Sequence, residues 1–392
     1  MKKITLNSFI GIIGVLSVYL LLLSHLLNNP FNSRILYLVI LICGLISLIN
    51  NLKELTNNTI LKVLLLLFVI ILFSSIINFQ LSFNSILYSI LWFLVFNIAL
   101  SVSHSLKFLV WISMLFFIVF FVIIIGNYFY SFIENINGFY SVTVVYYLIC
   151  FVPIILLVDN KLLKFLFLII VAAVSILSFK RGALLVVGLI ILVFFLYYLF
   201  HRTKEKFSLK KAVWIISFVG LVFFIFILIN NKYGINKLLS VWQYKIDTGS
   251  ESGFFADVRS ELYLNVLGMV FSSDPLKLFF GHGYDSVILN SSYQLSAHND
   301  LLEILFDYGI IAFILYFIFL ILLIKRYKRI KTSIIYSYIS FLVILIVTGL
   351  VSHMITYPTY VYILMIYFGI LVRREKSENR NINISSCLQL RS

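Results

Sequence analysis

His298 is the residue whose type and position could most directly do acid–base chemistry. It lies at the end of a long hydrophilic segment, just before an apolar run. Because an imidazole titrates near neutral pH, it can accept a proton from a hydroxyl group as that oxygen attacks a carbon atom. The other interpretation is that His298 caps or anchors the following helix. The position therefore predicts a catalytic base, with a structural anchor as the alternative.

Three polar residues follow at helical spacing. Asn299, Glu303 and Asp307 recur every four residues and so form a stripe along one face of a helix. Two carboxylates that enter a membrane are costly unless they face a cavity or partners. The stripe therefore predicts a substrate-binding surface, and an inter-helix hydrogen-bond cluster is the alternative.

Basic residues at two other places could hold a phosphate group. Lys180 and Arg181 lie at the tip of a tight hairpin between apolar runs, and Arg259 lies in the long hydrophilic segment. A guanidinium can bind pyrophosphate bidentately, because its planar donors match the phosphate oxygens. The alternative for the hairpin is basic side chains that reach the membrane interface. The alternative for Arg259 is an ion pair with Asp257 or Glu261.

The other histidines carry weaker signals. His282 stands between two glycines, which is more typical of a turn, although it could contribute to substrate binding. His353 follows a late apolar run and could border the same site. The sequence contains no Walker A loop, HExxH, GxSxG or dinucleotide fingerprint, and its three cysteines have no CxxC spacing. We therefore expect no metal site and no other cofactor.

The elements that must position these residues are membrane helices. Apolar residues make up 62% of the chain and charged residues only 11%, unlike the composition of soluble domains. The apolar runs of about 17–20 residues match the bilayer core, and they are continuous rather than alternating. We predict an all-α bundle of about twelve transmembrane helices. The predicted spans lie near 9–27, 35–50, 60–78, 84–102, 106–126, 140–158, 161–178, 183–200, 212–230, 300–324, 333–352 and 356–372.

The basic residues predict the orientation of this bundle. Most of the 30 lysines and arginines fall in segments on the side of the amino terminus, which places both termini in the cytoplasm. Because these residues are distributed among short loops rather than gathered in one patch, the net charge of +15 does not indicate a nucleic-acid partner. One transmembrane domain is predicted over residues 1–372, followed by a disordered cytoplasmic tail at 373–392.

Residues 231–299 form the one large extracytoplasmic loop of this topology. Apolar residues within it recur at spacings of three and four, which predicts an amphipathic helix on the membrane surface: Phe255, Val258, Leu262, Val266 and Met269. The next helix should begin near His298 and run continuously for about 27 residues, or roughly 40 Å. Its first turns would therefore project from the bilayer.

Fragments from about residue 165 to 325 resemble the O-antigen polymerase and O-antigen ligase superfamily. They are, in order, the Ser-x-x-Arg-Gly-Ala hairpin at 178–183, Arg259 with Leu262, Pro275-Leu276, Phe280-Gly281-His282-Gly283, Ala297-His298-Asn299, Leu301-Leu302-Glu303 and Tyr308-Gly309. The resemblance implies a GT-C-like, metal-independent glycosyltransferase in which Arg181 and Arg259 hold a pyrophosphate and His298 is the base. Lys180 departs from the family, which often has a small polar residue there, so either cation of the hairpin could be the ligand.

The resemblance also implies a function. It is the polymerisation of lipid-linked repeat units of O-antigen, capsule or exopolysaccharide at the outer face of the cytoplasmic (inner) membrane, with inversion of the anomeric centre. The implied partners are an undecaprenyl-pyrophosphate-linked oligosaccharide and membrane lipid, and could include a chain-length regulator and a flippase of the same pathway. One alternative is a ligase that moves finished glycan to a terminal acceptor. Another is a flippase for lipid-linked saccharide, although no internal repeat is detectable.

Overall fold

A computed structural model describes residues 5–27, 33–78, 83–102, 106–133, 144–158, 160–178, 181–201, 258–292, 294–327, 330, 334–351 and 360–374. Every regular element in this part of the chain is a helix. The prediction of an all-α protein is therefore confirmed.

The helices follow the apolar runs of the sequence. In chain order they are α1 (Leu6–Leu26), α2 (Ser33–Asn57), α3 (Thr59–Ile77), α4 (Phe83–Ser101), α5 (Leu106–Ile133), α6 (Val145–Ile155), α7 (Lys161–Leu177), α8 (Arg181–His201), α9 (Val258–Phe271), α10 (Pro275–Phe280), α11 (Ser286–Asn290), α12 (Asp300–Arg326), α13 (Ile335–Val351) and α14 (360–374). A helix overlaps each predicted span except 212–230, which lies outside the described residues.

Five of these helices are long and apolar enough to cross a membrane when the described residues are searched. They are α1, α2, α3, α5 and α12, and shorter apolar helices accompany them. The chain is thus a multi-pass helical membrane protein.

Polar residues between the apolar runs begin several helices. The side chain of Asn58 accepts the N–H of Ile60 at 3.0 Å and so caps α3. Asn160 caps α7 in the same way. These bonds satisfy backbone donors that have no partner in the first turn of a helix. Helix starts are therefore set locally, by an asparagine placed directly before an apolar run.

The chain divides into two compact units. The larger comprises Met1–Ile190 with Tyr263–Ser392, and the smaller comprises Ile191–Leu262. In the smaller unit the structure describes the ends of two helices, at 191–201 and 258–262. All side-chain contacts reported below belong to the larger unit.

α9 occupies the position where the spacing of apolar residues predicts a helix. Val266 and Val270 are buried in a core with Val287, Ala297 and Phe306. The opposite side of α9 is also apolar, since Leu264 and Phe271 are exposed, so the helix is less amphipathic than predicted. Phe255 lies outside the described residues.

α12 is not the continuous helix that the sequence predicts. Gly309 has φ 81° and ψ 176°, which breaks the helix into segments 300–308 and 310–326. The prediction was wrong because a single glycine in an apolar run is compatible with an unbroken membrane helix. The close contact of Gly309 with the backbone of Phe279 and Gly281 decides the break.

The last described helix extends slightly past the predicted end of the membrane domain. α14 continues to residue 374, and Arg373 lies 3.8 Å from the carboxylate of Glu54. This ion pair joins the carboxyl ends of α2 and α14. Residues 375–392 of the predicted tail lie outside the described residues.

Candidate functional site

Two backbone segments cross where α12 breaks. We call residues 279–283 and 306–309 the crossing. Gly281 and Gly309 both have positive φ, and a side chain at Gly281 would overlap the backbone of Asp307. A side chain at Gly309 would overlap the backbone of Phe279. The close approach therefore requires glycine at both positions.

The crossing replaces the hydrogen bonds that the helix loses. A break deprives the preceding carbonyls of their donors one turn later. The N–H of His282 donates to the carbonyl of Phe306 at 3.1 Å, and that of Gly283 donates to the carbonyl of Asp307 at 2.8 Å. Irregular backbone at the membrane is thus paired within the protein.

Side chains at the carboxyl end of α3 contact both segments of the crossing. Ser74 Oγ donates to the carbonyl of Asp307 at 3.0 Å, and Asn78 Nδ2 donates to the carbonyl of Gly281 at 2.9 Å. The rings of Phe73 and Phe280 also meet edge to face, with centroids 5.2 Å apart. One end of a membrane-spanning helix therefore fixes both segments of the crossing.

The carboxylate of Asp307 anchors the loop that follows the crossing. Its Oδ1 accepts the N–H of Val287 at 3.0 Å, and its Oδ2 accepts the N–H of Asp285 at 3.2 Å. Both donors lie at the start of α11, where the first N–H groups have no acceptor within the helix. Asp307 is only 2% exposed. These contacts correspond to the hydrogen-bond cluster that was the alternative interpretation of the polar stripe.

Asp307→Ala is expected to destabilise the protein. The N–H groups of Asp285 and Val287 would lose their buried acceptor, at a cost of about 1–3 kcal/mol each. The melting temperature of the purified protein in detergent should fall clearly. Asp274→Ala is the control, because Asp274 also caps a short helix, α10, but is exposed. An equal fall in both variants would show that the Asp307 bonds are not retained in solution.

His298 stands just before α12 in a left-handed backbone conformation. Its φ is 51°, and its Nδ1 lies 3.3 Å from Ser296 Oγ. Its N–H donates to Glu303 Oε1 at 3.1 Å. Asn299 begins the helix, since its side chain accepts the N–H groups of Leu301 and Leu302. Hydrogen bonds thus fix the backbone at His298 and at the start of the helix that follows it, and Ser296 orients the imidazole ring.

Asp300 was missed by the sequence analysis. It is fully buried at the first position of α12, where it faces Gly349 of α13. Asp300, Glu303 and Asp307 share one face of the helix at spacings of three and four. That spacing was the signal that could have identified Asp300, together with its position beside Asn299.

His282 is half-buried and lies in a bend of the chain, which agrees with the turn interpretation. Its ring stacks on Phe306 with centroids 4.1 Å apart. Its Nδ1 lies 3.2 Å from the carbonyl of Phe306, and its Nε2 lies 3.3 Å from Ser273 Oγ. Burial lowers the pKa of His282, so the neutral ring is favoured. Its role in substrate binding stays a prediction.

For the predicted pyrophosphate ligands Arg181 and Arg259, the structure describes only the position of each residue in its helix. Arg181 is the first residue of α8 and Arg259 is the second residue of α9, and the side chains of both lie outside the described part of the chain. Lys180 and His353 also lie outside the described residues. Within the described ranges, no group of three or more His, Cys, Asp or Glu residues could hold a metal ion.

Comparison with known protein families gives a match over part of this chain. Residues 165–317 match the family described as O-antigen ligase. The matched segment includes both arginines, the crossing, His298 and the first two-thirds of α12. A search of curated proteins found no match to the chain.

Proposed function

We propose that this chain, whose residues 165–317 match the family described as O-antigen ligase, polymerises lipid-linked oligosaccharide repeat units. The growing glycan would move from undecaprenyl pyrophosphate to the distal sugar of a new lipid-linked repeat. The product would be O-antigen, capsule or exopolysaccharide. The family match carries this proposal, and the held position of His298 beside α12 supports it.

In the proposed reaction, the acceptor hydroxyl oxygen attacks the anomeric carbon of the donor. The bond from that carbon to the pyrophosphate oxygen breaks, and the acceptor proton passes to His298. Arg181 and Arg259 would stabilise the charge of the departing pyrophosphate, which is the main electrostatic demand of the reaction. A single displacement of this kind inverts the anomeric centre, and the two guanidinium groups would provide the positive charge without a metal ion.

We place the site on the extracytoplasmic face of the inner membrane, in a bundle of about twelve spans with a GT-C-like fold. The crossing contacts Asn78 at the carboxyl end of α3. Tyr284 contacts Tyr88 near the amino end of α4. Lys53 and Lys325 lie near the carboxyl ends of α2 and α12, which are the ends away from the crossing. Basic residues favour the cytoplasmic side, which supports cytoplasmic termini and an outer site.

A ligase is the second candidate, because the matched family is described as O-antigen ligase. A strain that lacks the gene separates the two activities. Loss of a polymerase should leave a single repeat unit on the acceptor, whereas loss of a ligase should leave polymer on undecaprenyl pyrophosphate. Electrophoresis of the lipid-linked and acceptor-linked glycan distinguishes these outcomes. We expect the single repeat unit.

Purified protein in vesicles tests the third possibility, a flippase. A polymerase should join labelled lipid-linked repeats through new glycosidic bonds. Movement of the labelled lipid across the bilayer without any new bond would contradict the proposed function.

A further inference from the structure

Four polar aromatic side chains meet beside the crossing. His25 Nε2 lies 2.8 Å from the Tyr37 hydroxyl, which donates to the Tyr88 hydroxyl at 3.3 Å. The ring of Tyr88 lies 6.1 Å from that of Tyr284. We call these four residues the tyrosine cluster. They come from α1, α2, α4 and the loop after the crossing, so distant parts of the chain converge on one place.

The tyrosine cluster faces the inside of the bundle. Tyr37 is 9% exposed, whereas its neighbours Ile35 and Leu38 on α2 are 64% and 56% exposed. The outer side of α2 is thus aliphatic at this level, and the tyrosine is turned inward. Tyrosines of an interfacial belt lie instead at the boundary with lipid headgroups. The tyrosine cluster is therefore distinct from an interfacial belt of tyrosines.

Tyr284 connects this cluster to the segment that carries His298. The residues on both sides of Tyr284 are fixed by Asp307, through the N–H groups of Gly283 and Asp285. Asp307 lies one turn after Glu303 in the first segment of α12. Glu303 in turn accepts the N–H of His298. The half-buried Tyr284 is thus attached to the same segment of α12 whose Glu303 bonds to the proposed catalytic base.

We infer that the tyrosine cluster binds neutral sugar residues of the acceptor saccharide, an inference that rests on the proposed function. Tyrosine hydroxyls both donate and accept hydrogen bonds, as sugar hydroxyls do. Aromatic faces provide apolar area for the C–H faces of a sugar, a combination typical of small-molecule sites. The cluster contains no lysine, arginine or carboxylate, so it suits an uncharged sugar rather than a pyrophosphate.

Tyr88→Phe and Tyr284→Phe test this site, because each removes a hydroxyl and keeps the ring. The probe is the repeat-unit oligosaccharide of the producing strain, released from its lipid and titrated into the full-length protein in nanodiscs. Each variant should raise the Kd for the oligosaccharide, and the KM for the acceptor, by about tenfold, while kcat stays near the wild-type value. Tyr338→Phe is the control. Its hydroxyl donates to the carbonyl of Leu323, near the other end of α12, so the Kd should not change.

The possible results distinguish a failure of the proposed sugar-binding site from a failure of the proposed polymerase function. An unchanged Kd in both variants, or a wild-type protein that binds no oligosaccharide, would overturn the inference and leave the cluster as bundle packing. A wild-type protein that binds the oligosaccharide but forms no glycosidic bond would contradict the proposed function and uphold the site. A protein that polymerises in both variants with the wild-type KM for the acceptor would uphold the proposed function and overturn the inference.

Discussion

His298→Asn is expected to abolish polymer while single lipid-linked repeats accumulate. Asparagine tolerates the left-handed backbone at this position, where φ is 51°, but it cannot accept the acceptor proton at neutral pH. Loss of a general base reduces the rate by about 10²- to 10⁴-fold. The measurement is the ladder of chain lengths formed by the purified protein from lipid-linked repeats. His298→Ala should give the same loss, with added backbone strain.

Gln294→Asn is the matched control for this substitution. Gln294 lies in the same loop, is exposed, and has φ 49°, so the change tests the backbone without the imidazole. We expect normal chain lengths in this variant. Normal chain lengths in His298→Asn would remove His298 from the mechanism and favour its role as an anchor of α12.

Gly281→Ala and Gly309→Ala are each expected to prevent formation of the folded protein. A methyl group at either position overlaps backbone atoms of the opposing segment, so the two segments must separate. Separation would release the bonds of His282 and Gly283 to the α12 carbonyls. Together with the positive φ of both glycines, the cost should reach about 4 kcal/mol or more.

The yield of monodisperse protein in detergent, and its melting temperature, measure this effect. Gly126→Ala and Gly268→Ala are the controls, because a Cβ at either position meets no atom within 4 Å. Both lie inside helices, where alanine is favoured over glycine by about 0.5–1 kcal/mol. The controls should therefore match or exceed the wild-type melting temperature. A Gly281→Ala protein as stable as the controls would mean that the two segments do not cross this closely.

The glycine substitutions test the backbone structure of the candidate site, whereas the His298 substitution tests its chemistry. The crossing fixes Asp307, and Asp307 fixes the loop that contains Tyr284. His298 stands just before the first segment of α12. A defect at the glycines should therefore lower both stability and activity. A defect at His298 should lower activity alone, since its substitution by asparagine retains the backbone.

Local sequence was sufficient for the helix class and for most helix positions in the described part of the chain. Apolar runs and capping asparagines act over one or two turns, so they are readable without tertiary contacts. His298 and Asn299 at the start of α12 follow from the same local pattern.

Only the tertiary structure decided the break in α12, the anchoring role of Asp307 and the existence of the tyrosine cluster. Each depends on partners far apart in the chain, such as Ser74 with Asp307, Asn78 with Gly281, and Tyr88 with Tyr284. A glycine or a carboxylate in an apolar run does not reveal which distant backbone it will meet. The physical reason is that broken helical hydrogen bonds and buried carboxylates are stable only when another segment supplies their partners.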